Sequence, residues 1–302
     1  EHELVREPAV HLIQAGGKRL RPALVMLAAD FGTPKEPTDL AAAAVELCPE
    51  SDRVLNQVRL IDGRYVLTGL VDTHARAWVV DRDGRHLEDV PLPADGALPS
   101  DSISLATLTP NGSPDDFLFL FSTPVSSTGL YRYRLGSGAI ETLSAPSVTL
   151  DGATVALRWA RSADGTAVPY HLVLPNGEDG SRPIPTLVSA YGGGRAAWLP
   201  RYPGPLAAFV AAGGALVISH QRGGSELGSD WADQGRVTKK QNSFDDLYAI
   251  AEDLIAEGTA TAAQIGLTGW SNGGLMCGVA YAQRPDLWAA VAHNFPRDLA
   301  AL

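Results

Sequence analysis

Residues 269–274 are Gly-Trp-Ser-Asn-Gly-Gly. The apolar residues 265–268 before them predict a strand, and residues 273–283 after them predict a helix. A serine flanked by glycines between a strand and a helix is typical of a nucleophile elbow, a tight turn that holds a serine hydroxyl clear of the backbone. A side chain at position 269 or 273 would crowd such a turn, and the helix N-terminus offers the backbone N–H of Asn272 to an oxyanion. The pattern also occurs by chance in loops, so the strand before Ser271 and the helix after it are what favour a nucleophile.

Strands and helices alternate on the N-terminal side of this turn. Residues 183–190 and 215–219 are continuous apolar runs, as expected for strands that are buried on both faces. Residues 244–255 are amphipathic, with Asn242 and Ser243 as the predicted N-cap. Residues 288–292 predict one more strand after the elbow. This alternation predicts a mostly parallel α/β sheet.

Residues 53–175 have a different texture, in which short β-branched and aromatic runs alternate with turn residues such as Asp83-Gly84 and Gly136-Ser137-Gly138. Short strands at this spacing predict an antiparallel meander. They do not distinguish propeller blades from a sandwich.

Several further motifs resemble the prolyl oligopeptidase family of serine peptidases in order and spacing, over about residues 53–302. The motifs are Tyr191-Gly192-Gly193, His220-Gln221-Arg222-Gly223-Gly224-Ser225-Glu226-Leu227-Gly228, Trp231, residues 240–246 (Lys-Gln-Asn-Ser-Phe-Asp-Asp), residues 269–274, and residues 283–287 (Gln-Arg-Pro-Asp-Leu). The resemblance implies a β-rich partial propeller over residues 48–160 and a truncated α/β-hydrolase domain over residues 161–302.

The resemblance also implies a chemistry, the hydrolysis of peptide bonds in short peptides through an acyl-enzyme at Ser271. The Tyr191 hydroxyl and the Asn272 backbone N–H would form the oxyanion hole, and no cofactor or metal would be needed. Gly194 stands where family members usually carry a phenylalanine that lines the proline pocket, which leaves the preference for proline open. Arg222, Gly223 and Gly224 are expected to shape a loop beside the site, and Asp245 and Asp246 to complement a helix dipole.

A general base for Ser271 is not evident in the sequence. A hydrolase of this fold takes its acid and its histidine from loops late in the sheet. His293 ends a strand predicted beside the elbow strand, and Asp286 lies in a turn after the helix. We therefore expect the triad Asp and His to be absent and the chain to be inactive as truncated. Two alternatives stay open, an esterase-like acyl hydrolase on the same fold and a non-catalytic fragment.

The N-terminal 47 residues form a third zone with a helical pattern. Residues 16–22 (Gly-Gly-Lys-Arg-Leu-Arg-Pro) resemble the start of a trans-polyprenyl diphosphate synthase. That resemblance implies diphosphate binding by Lys18 and Arg21, as suits these cations. The Asp-Asp-x-x-Asp magnesium motif of such enzymes does not occur in the chain, so we expect a chimeric or misassembled polypeptide that does not transfer prenyl groups.

Bulk composition narrows the remaining function classes. The net charge is −10, and no basic stripe offsets it, which argues against nucleic acid and anionic membranes as partners. Cys48 and Cys277 are too few for a disulfide framework or a zinc site. No signal peptide and no apolar run long enough to span a bilayer is evident. We expect a cytoplasmic protein that acts on short peptides.

Overall fold

The computed structural model describes residues 53–98 and 115–294. Within them lie thirteen strands in three sheets and four α-helices. The first sheet has the order β1-β2-β3-β4, and the second has the order β5-β6-β7. Their strands are β1 Val54–Ile61, β2 Arg64–Val71, β3 His74–Val80, β4 His86–Val90, β5 Asp116–Thr123, β6 Ser126–Arg134 and β7 Ile140–Ser144.

Both of these sheets are antiparallel throughout, as the sequence predicts. Tight turns set their register. Asp62 and Gly63, between β1 and β2, both have positive φ, as do Asp72 and Thr73 between β2 and β3. Two-residue turns with positive φ match the right-handed twist of the flanking strands. Val66 and Val79 of the first sheet share one apolar core with Phe117, Phe119 and Tyr133 of the second.

The third sheet has six strands in the order β13-β12-β10-β11-β9-β8. Its strands are β8 Thr154–Arg161, β9 Ala167–Leu174, β10 Thr186–Ser189, β11 Ala215–Ser219, β12 Ile265–Trp270 and β13 Ala290–Asn294. The strands β10 to β13 are mutually parallel, whereas β9 runs antiparallel to β11 and β8 antiparallel to β9. The domain boundary expected between residues 160 and 161 falls inside β8, which pairs along its whole length with β9.

The helices are α1 Ala207–Ala211, α2 Ser229–Asp233, α3 Gln241–Ala256 and α4 Asn272–Gln283. Single 3₁₀ turns occupy Gly204–Leu206, Val237–Lys239, Ala262–Gln264 and Pro285–Leu287. Both long helices cover one face of the six-stranded sheet. Val188, Val217 and Leu267 of three neighbouring strands share a core with Ile250 of α3 and Met276 of α4.

The start of α3 differs from the prediction. The helix begins at Gln241 rather than after Ser243, and its N-cap, Lys240, makes no side-chain capping bond. The Ser243 hydroxyl is fully buried and lies within hydrogen-bond distance of the carbonyl oxygens of Arg222 and Gly235. Ser243 therefore ties the helix to the loop after β11 instead of capping it.

Asp246 does more than complement the helix dipole, because its side chain is fully buried. Its carboxylate receives Arg222 Nε at 2.9 Å and Arg222 Nη2 at 2.6 Å, and Arg222 is itself only 1% exposed. The backbone N–H of Arg222 donates to the same carboxylate at 2.9 Å. A bidentate pair of this kind fixes the geometry of both partners. It holds the loop after β11 against α3.

Candidate active site

Ser271 is the single residue between β12 and α4. Its φ is 54° and its ψ is −119°, a combination that residues with a β-carbon rarely adopt. The side chain is half-buried at the carboxyl edge of the parallel strands. This is the strand–turn–helix geometry that the sequence predicts for the elbow.

Close backbone contacts explain the glycines of the elbow. A β-carbon at Gly269 would collide with the backbone of Gly273, and one at Gly273 would collide with the carbonyl oxygen of Ala190. Ala190 follows β10, and its N–H donates to the Thr268 carbonyl of β12 at 3.0 Å. The elbow is therefore packed directly against the end of the neighbouring strand.

Tyr191 lies at this junction, just beyond the carboxyl end of β10. The strands β10 and β12 are parallel neighbours, with Ser189 opposite Thr268. The Asn272 side-chain amide donates to the carbonyl oxygen of Tyr191. Asn272 is also the first residue of α4, and the first N–H groups of a helix lack a partner within the helix. Two residues expected to form an oxyanion hole are thus brought together beside Ser271.

The ring of Tyr191 lies between two tryptophans. Trp198 stacks on it with ring centroids 5.3 Å apart and ring planes 9° apart. Trp270 contacts it at 5.9 Å with a tilt of 49°. No sequence pattern indicates this cluster, because Trp198 lies in a stretch without regular secondary structure and Trp270 occupies the variable position of the elbow.

The loop after Tyr191 is held by Lys240, which donates from Nζ to the carbonyl oxygen of Gly192. Burial lowers the pKa of Lys240 to about 8. Gly194, at the position expected to line a proline pocket, is exposed with φ of 61° and has open space where a side chain would start. Gly194 therefore contributes no side chain to such a pocket.

No described side chain accepts a hydrogen bond from the Ser271 hydroxyl. His293 lies on β13 in register with Gly269, and its side chain is exposed. Asp286 lies in the 3₁₀ turn after α4 and pairs with Arg284 at 2.8 Å. Neither residue forms the base arrangement of a serine hydrolase with Ser271.

A chain of three histidines, of which His171 and His220 are fully buried and His74 is half-buried, is not indicated by the sequence. His171 Nδ1 lies 2.7 Å from His220 Nε2, and His171 Nε2 lies 3.4 Å from His74 Nε2. Glu226 continues the chain, with its Oε1 atom 4.0 Å from His220 Nδ1. The chain joins β3 of the first sheet to β9 and to the loop after β11. Residues 97 and 49 positions apart in sequence form these contacts, so no local pattern could indicate them.

This part of the chain resembles known proteins. Residues 202–299 match the prolyl oligopeptidase family. That match covers the loop after β11, α3, the elbow and β13, and it confirms the resemblance to the prolyl oligopeptidase family of peptidases.

Relatives of the prolyl oligopeptidase family extend the match. The chain is 36% identical over 204 residues to an uncharacterized peptidase of Sinorhizobium fredii, covering 66% of this chain and 28% of that protein. It is 26% identical over 227 residues to a prolyl endopeptidase of Elizabethkingia meningoseptica, covering 74% of this chain and 31% of that protein. The chain thus spans less than a third of the length of these curated relatives.

Solved structures of prolyl oligopeptidases share the fold. One, from a study of two prolyl endopeptidases, has a TM-score of 0.73 and 30% identity, and the match covers 80% of this chain and 35% of that one. Oligopeptidase B from Trypanosoma brucei, with covalently bound antipain, has a TM-score of 0.72 and 26% identity, over 82% of this chain and 36% of that one. The described residues are consistent with part of an α/β-hydrolase sheet together with antiparallel sheets of a partial propeller.

Residues 1–47, with Lys18 and Arg21, lie outside the described residues, as does Cys48, and the resemblance to a polyprenyl synthase stays a prediction. In residues 53–98 and 115–294, no group of three His, Cys, Asp or Glu side chains is arranged to hold a metal ion. The helices of the same residues include none long and apolar enough to cross a membrane.

Proposed function

We propose that this chain carries the nucleophile half of a serine peptidase active site, in which Ser271 attacks a peptide carbonyl and forms an acyl-enzyme. The observation that carries the proposal is the backbone of Ser271, which has positive φ between a parallel strand and a helix. That conformation is costly by about 1–3 kcal/mol and is retained where the surrounding structure enforces it. It presents a hydroxyl at a helix N-terminus, where developing negative charge is stabilised.

Tyr191 and Asn272 are proposed to receive the oxyanion of the tetrahedral intermediate. The backbone N–H of Asn272 is one donor and the Tyr191 hydroxyl is the other. Support comes from their adjacency, since the Asn272 side chain holds the Tyr191 backbone beside the elbow. Donors fixed before the reaction need no reorganisation when charge develops, which is why such groups contribute strongly to catalysis.

Short peptides are the proposed substrates, by analogy with the prolyl endopeptidases that the chain resembles. The open space at Gly194 argues against a strict requirement for proline, because the wall that would contact a proline ring is missing there. An esterase-like acyl hydrolase would use the same Ser271 chemistry, and matched ester and peptide substrates distinguish the two.

A polypeptide limited to these 302 residues is proposed to turn over little. A serine hydroxyl is a weak nucleophile at neutral pH until a positioned imidazole takes its proton. Since the Ser271 hydroxyl has no hydrogen-bonded base among the described residues, we expect a loss on the order of 10⁴ to 10⁶ in kcat relative to a complete triad. The alternative of a non-catalytic fragment rests on this same observation.

Labelling with a fluorophosphonate probe tests the proposal. The 302-residue chain should label negligibly, whereas the chain extended by the C-terminal segment of a close relative should label at a serine. Ser271→Ala in the extended chain should abolish labelling, and His293→Ala should not. Labelling of the extended chain at another residue would overturn the assignment of Ser271. Rapid labelling of the unextended chain that His293→Ala removes would show that His293 is the base.

A further inference from the structure

The polar contacts of Tyr191 fix its backbone but not its ring. Its carbonyl oxygen accepts from the Asn272 side chain, and the preceding residue, Ala190, is bonded to Thr268. The Tyr191 hydroxyl has no hydrogen-bond partner among the described residues. The position of the hydroxyl therefore depends on the torsion about Cα–Cβ and on the side chains that pack against the ring, since rotation about Cβ–Cγ leaves the hydroxyl oxygen on its axis.

Trp198 provides the closer of those contacts. Its indole lies nearly parallel to the Tyr191 ring, with an angle of 9° between planes and 5.3 Å between centroids. Trp270 makes the other ring contact. Its ring plane is tilted by 49° from that of Tyr191, and the residue is 56% exposed. A parallel stack covers a ring face and resists rotation of the ring out of its plane, which a tilted and solvent-exposed neighbour does poorly.

Trp198 is itself tethered at two points. Its backbone N–H donates to Glu226 Oε1 at 2.7 Å, and its Nε1–H donates to Ser189 Oγ at 3.3 Å. Glu226 is 1% exposed and Ser189 is 6% exposed. Ser189 is the last residue of β10, two positions before Tyr191, so the indole is fastened to the strand that carries the tyrosine. These two hydrogen bonds hold Trp198 in place, although it belongs to no helix or strand.

We propose that Trp198 is a positioning residue that fixes the Tyr191 ring so that its hydroxyl points to the oxyanion site. This inference rests on the proposed function, since it assigns Tyr191 the role of an oxyanion donor. A donor held by packing within a fraction of an ångström contributes to transition-state stabilisation, whereas a freely rotating one spends most of its time elsewhere. In this role Trp198 acts through Tyr191.

The first measurement follows the ring itself. The 302-residue chain labelled with 3-fluorotyrosine gives one set of fluorine NMR signals for Tyr191, assigned by their loss in Tyr191→Phe. We expect these signals to lie well away from the shift of a solvent-exposed 3-fluorotyrosine in the wild-type chain and in Trp198→Phe, which keeps a stacking ring. Trp198→Leu should move them to the shift of an exposed residue, because averaging over the Cα–Cβ torsion, which displaces the hydroxyl, takes the ring out of its fixed surroundings. Unchanged signals in Trp198→Leu would overturn the positioning role whatever Tyr191 does in catalysis.

The second measurement asks whether the held ring matters for the oxyanion site. In the chain extended by the C-terminal segment of a close relative, the boron of a peptide boronic acid binds the Ser271 oxygen while the hydroxyl proton passes to the general base, and one oxygen of the tetrahedral adduct mimics the oxyanion. We expect Ser271→Ala to abolish binding, and Tyr191→Phe and Trp198→Leu each to raise the dissociation constant by roughly tenfold or more, in line with removal of one oxyanion donor. Trp198→Phe should restore most of the affinity.

The double variant separates the two hypotheses. If Trp198 acts through Tyr191, Trp198→Leu should change the dissociation constant by less than about twofold when Tyr191→Phe is already present. An equal effect in both backgrounds would overturn the positioning role and leave the oxyanion role of Tyr191 intact. No effect of Tyr191→Phe, or no boronate binding by the extended chain with Ser271 and Tyr191 intact, would overturn the proposed oxyanion role and the inference with it. The fluorine spectra would then still show whether Trp198 holds the ring.

Discussion

His171 and His220 are hydrogen-bonded to each other, with Nδ1 of the first 2.7 Å from Nε2 of the second, and both side chains are fully buried. Burial lowers the pKa of His171 to about 3 and lowers that of His220 well below its ordinary value, in both cases with a smaller contribution from neighbouring histidines. Both rings are therefore neutral in the folded protein near pH 7. The bond between them needs one imidazole as donor and the other as acceptor.

Acidification should destabilise the fold through this pair. The unfolded chain protonates each histidine near pH 6.5, whereas folded His171 stays neutral until about pH 3. Between these values the unfolded state binds more protons, so stability falls as the pH is lowered, by up to about 1.4 kcal/mol per pH unit for each such histidine.

Other charged groups near the chain modify this slope. Burial also lowers the pKa of His74; Asp95 and Asp72 oppose that shift, and Arg76 adds to it. Burial raises the pKa of Glu226 to about 7. Taken alone, this shift would raise the free energy of unfolding as the pH falls from 7 to 4.5, because the folded state then binds more protons at Glu226 than the unfolded state does. The histidines of the chain outnumber this one carboxyl group, so we expect their loss of stability on acidification to prevail. Urea unfolding at pH 7.5 and pH 5 should show the net loss, His171→Gln should reduce it, and the exposed His86→Gln should not. A stability that rises on acidification would contradict the neutral chain.

Removal of the Arg222 guanidinium should be costly, because it leaves the buried carboxylate of Asp246 without its bidentate partner. We expect Arg222→Met to lower the free energy of unfolding by about 3–5 kcal/mol. The matched control is Arg284→Met, since Arg284 pairs with Glu252 and Asp286 at a partly exposed position and should change stability by less than about 1 kcal/mol. Equal effects of the two variants in urea unfolding would mean that the buried ion pair of Arg222 contributes no more to stability than the partly exposed pairs of Arg284.

Gly273→Ala should disrupt the elbow. Alanine gains about 1 kcal/mol of helix propensity over glycine. The new methyl group would meet the Ala190 carbonyl oxygen, and forced repacking typically costs about 1–3 kcal/mol. The collision involves backbone on both sides, so we expect it to prevail and thermal unfolding to occur at lower temperature. Gly266→Ala on β12 is the control, because its methyl group would meet only the tip of Leu187 at 3.3 Å.

Ser271→Gly should stabilise the chain, whereas Ser271→Ala should not. Glycine removes the strain of positive φ, about 1–3 kcal/mol, and adds about 0.5–1 kcal/mol of backbone entropy to the unfolded state. The net expectation is a gain of roughly 1 kcal/mol in urea unfolding. Alanine keeps the β-carbon and with it the strain. Equal stabilities of the two variants would show that the elbow is unstrained.

Local patterns were enough to predict the elbow and most strands. The glycines at 269 and 273 and the apolar run before them predict the turn, and the continuous apolar residues of β11 predict a buried strand with the bounds observed. The antiparallel meander is predicted in the same way from turn residues such as Asp83-Gly84 and Gly136-Ser137-Gly138. The boundary between the second and third sheets is harder to predict. The strand β8 differs from the strands before it only in its pairing partner, β9.

The surroundings of the elbow could not be predicted, because they depend on contacts between distant residues. The sequence predicts only a helix-dipole role for Asp246, whereas its burial depends on Arg222, 24 residues earlier on another element. The stack of Trp198 on Tyr191 forms in a loop without periodicity. Residue roles in catalysis stay predictions that the labelling and boronate experiments address.

The strained backbone of Ser271 also affects how the residues of the elbow can change during evolution. Selection for stability alone would favour glycine there, because that single change removes strain without disturbing a neighbour. Lineages in which the hydroxyl has no use should therefore lose it early, while the glycines at 269 and 273, which the packing itself requires, persist. A descendant with glycine at position 271 and an otherwise intact elbow would mark a branch that has given up its chemistry but kept its fold.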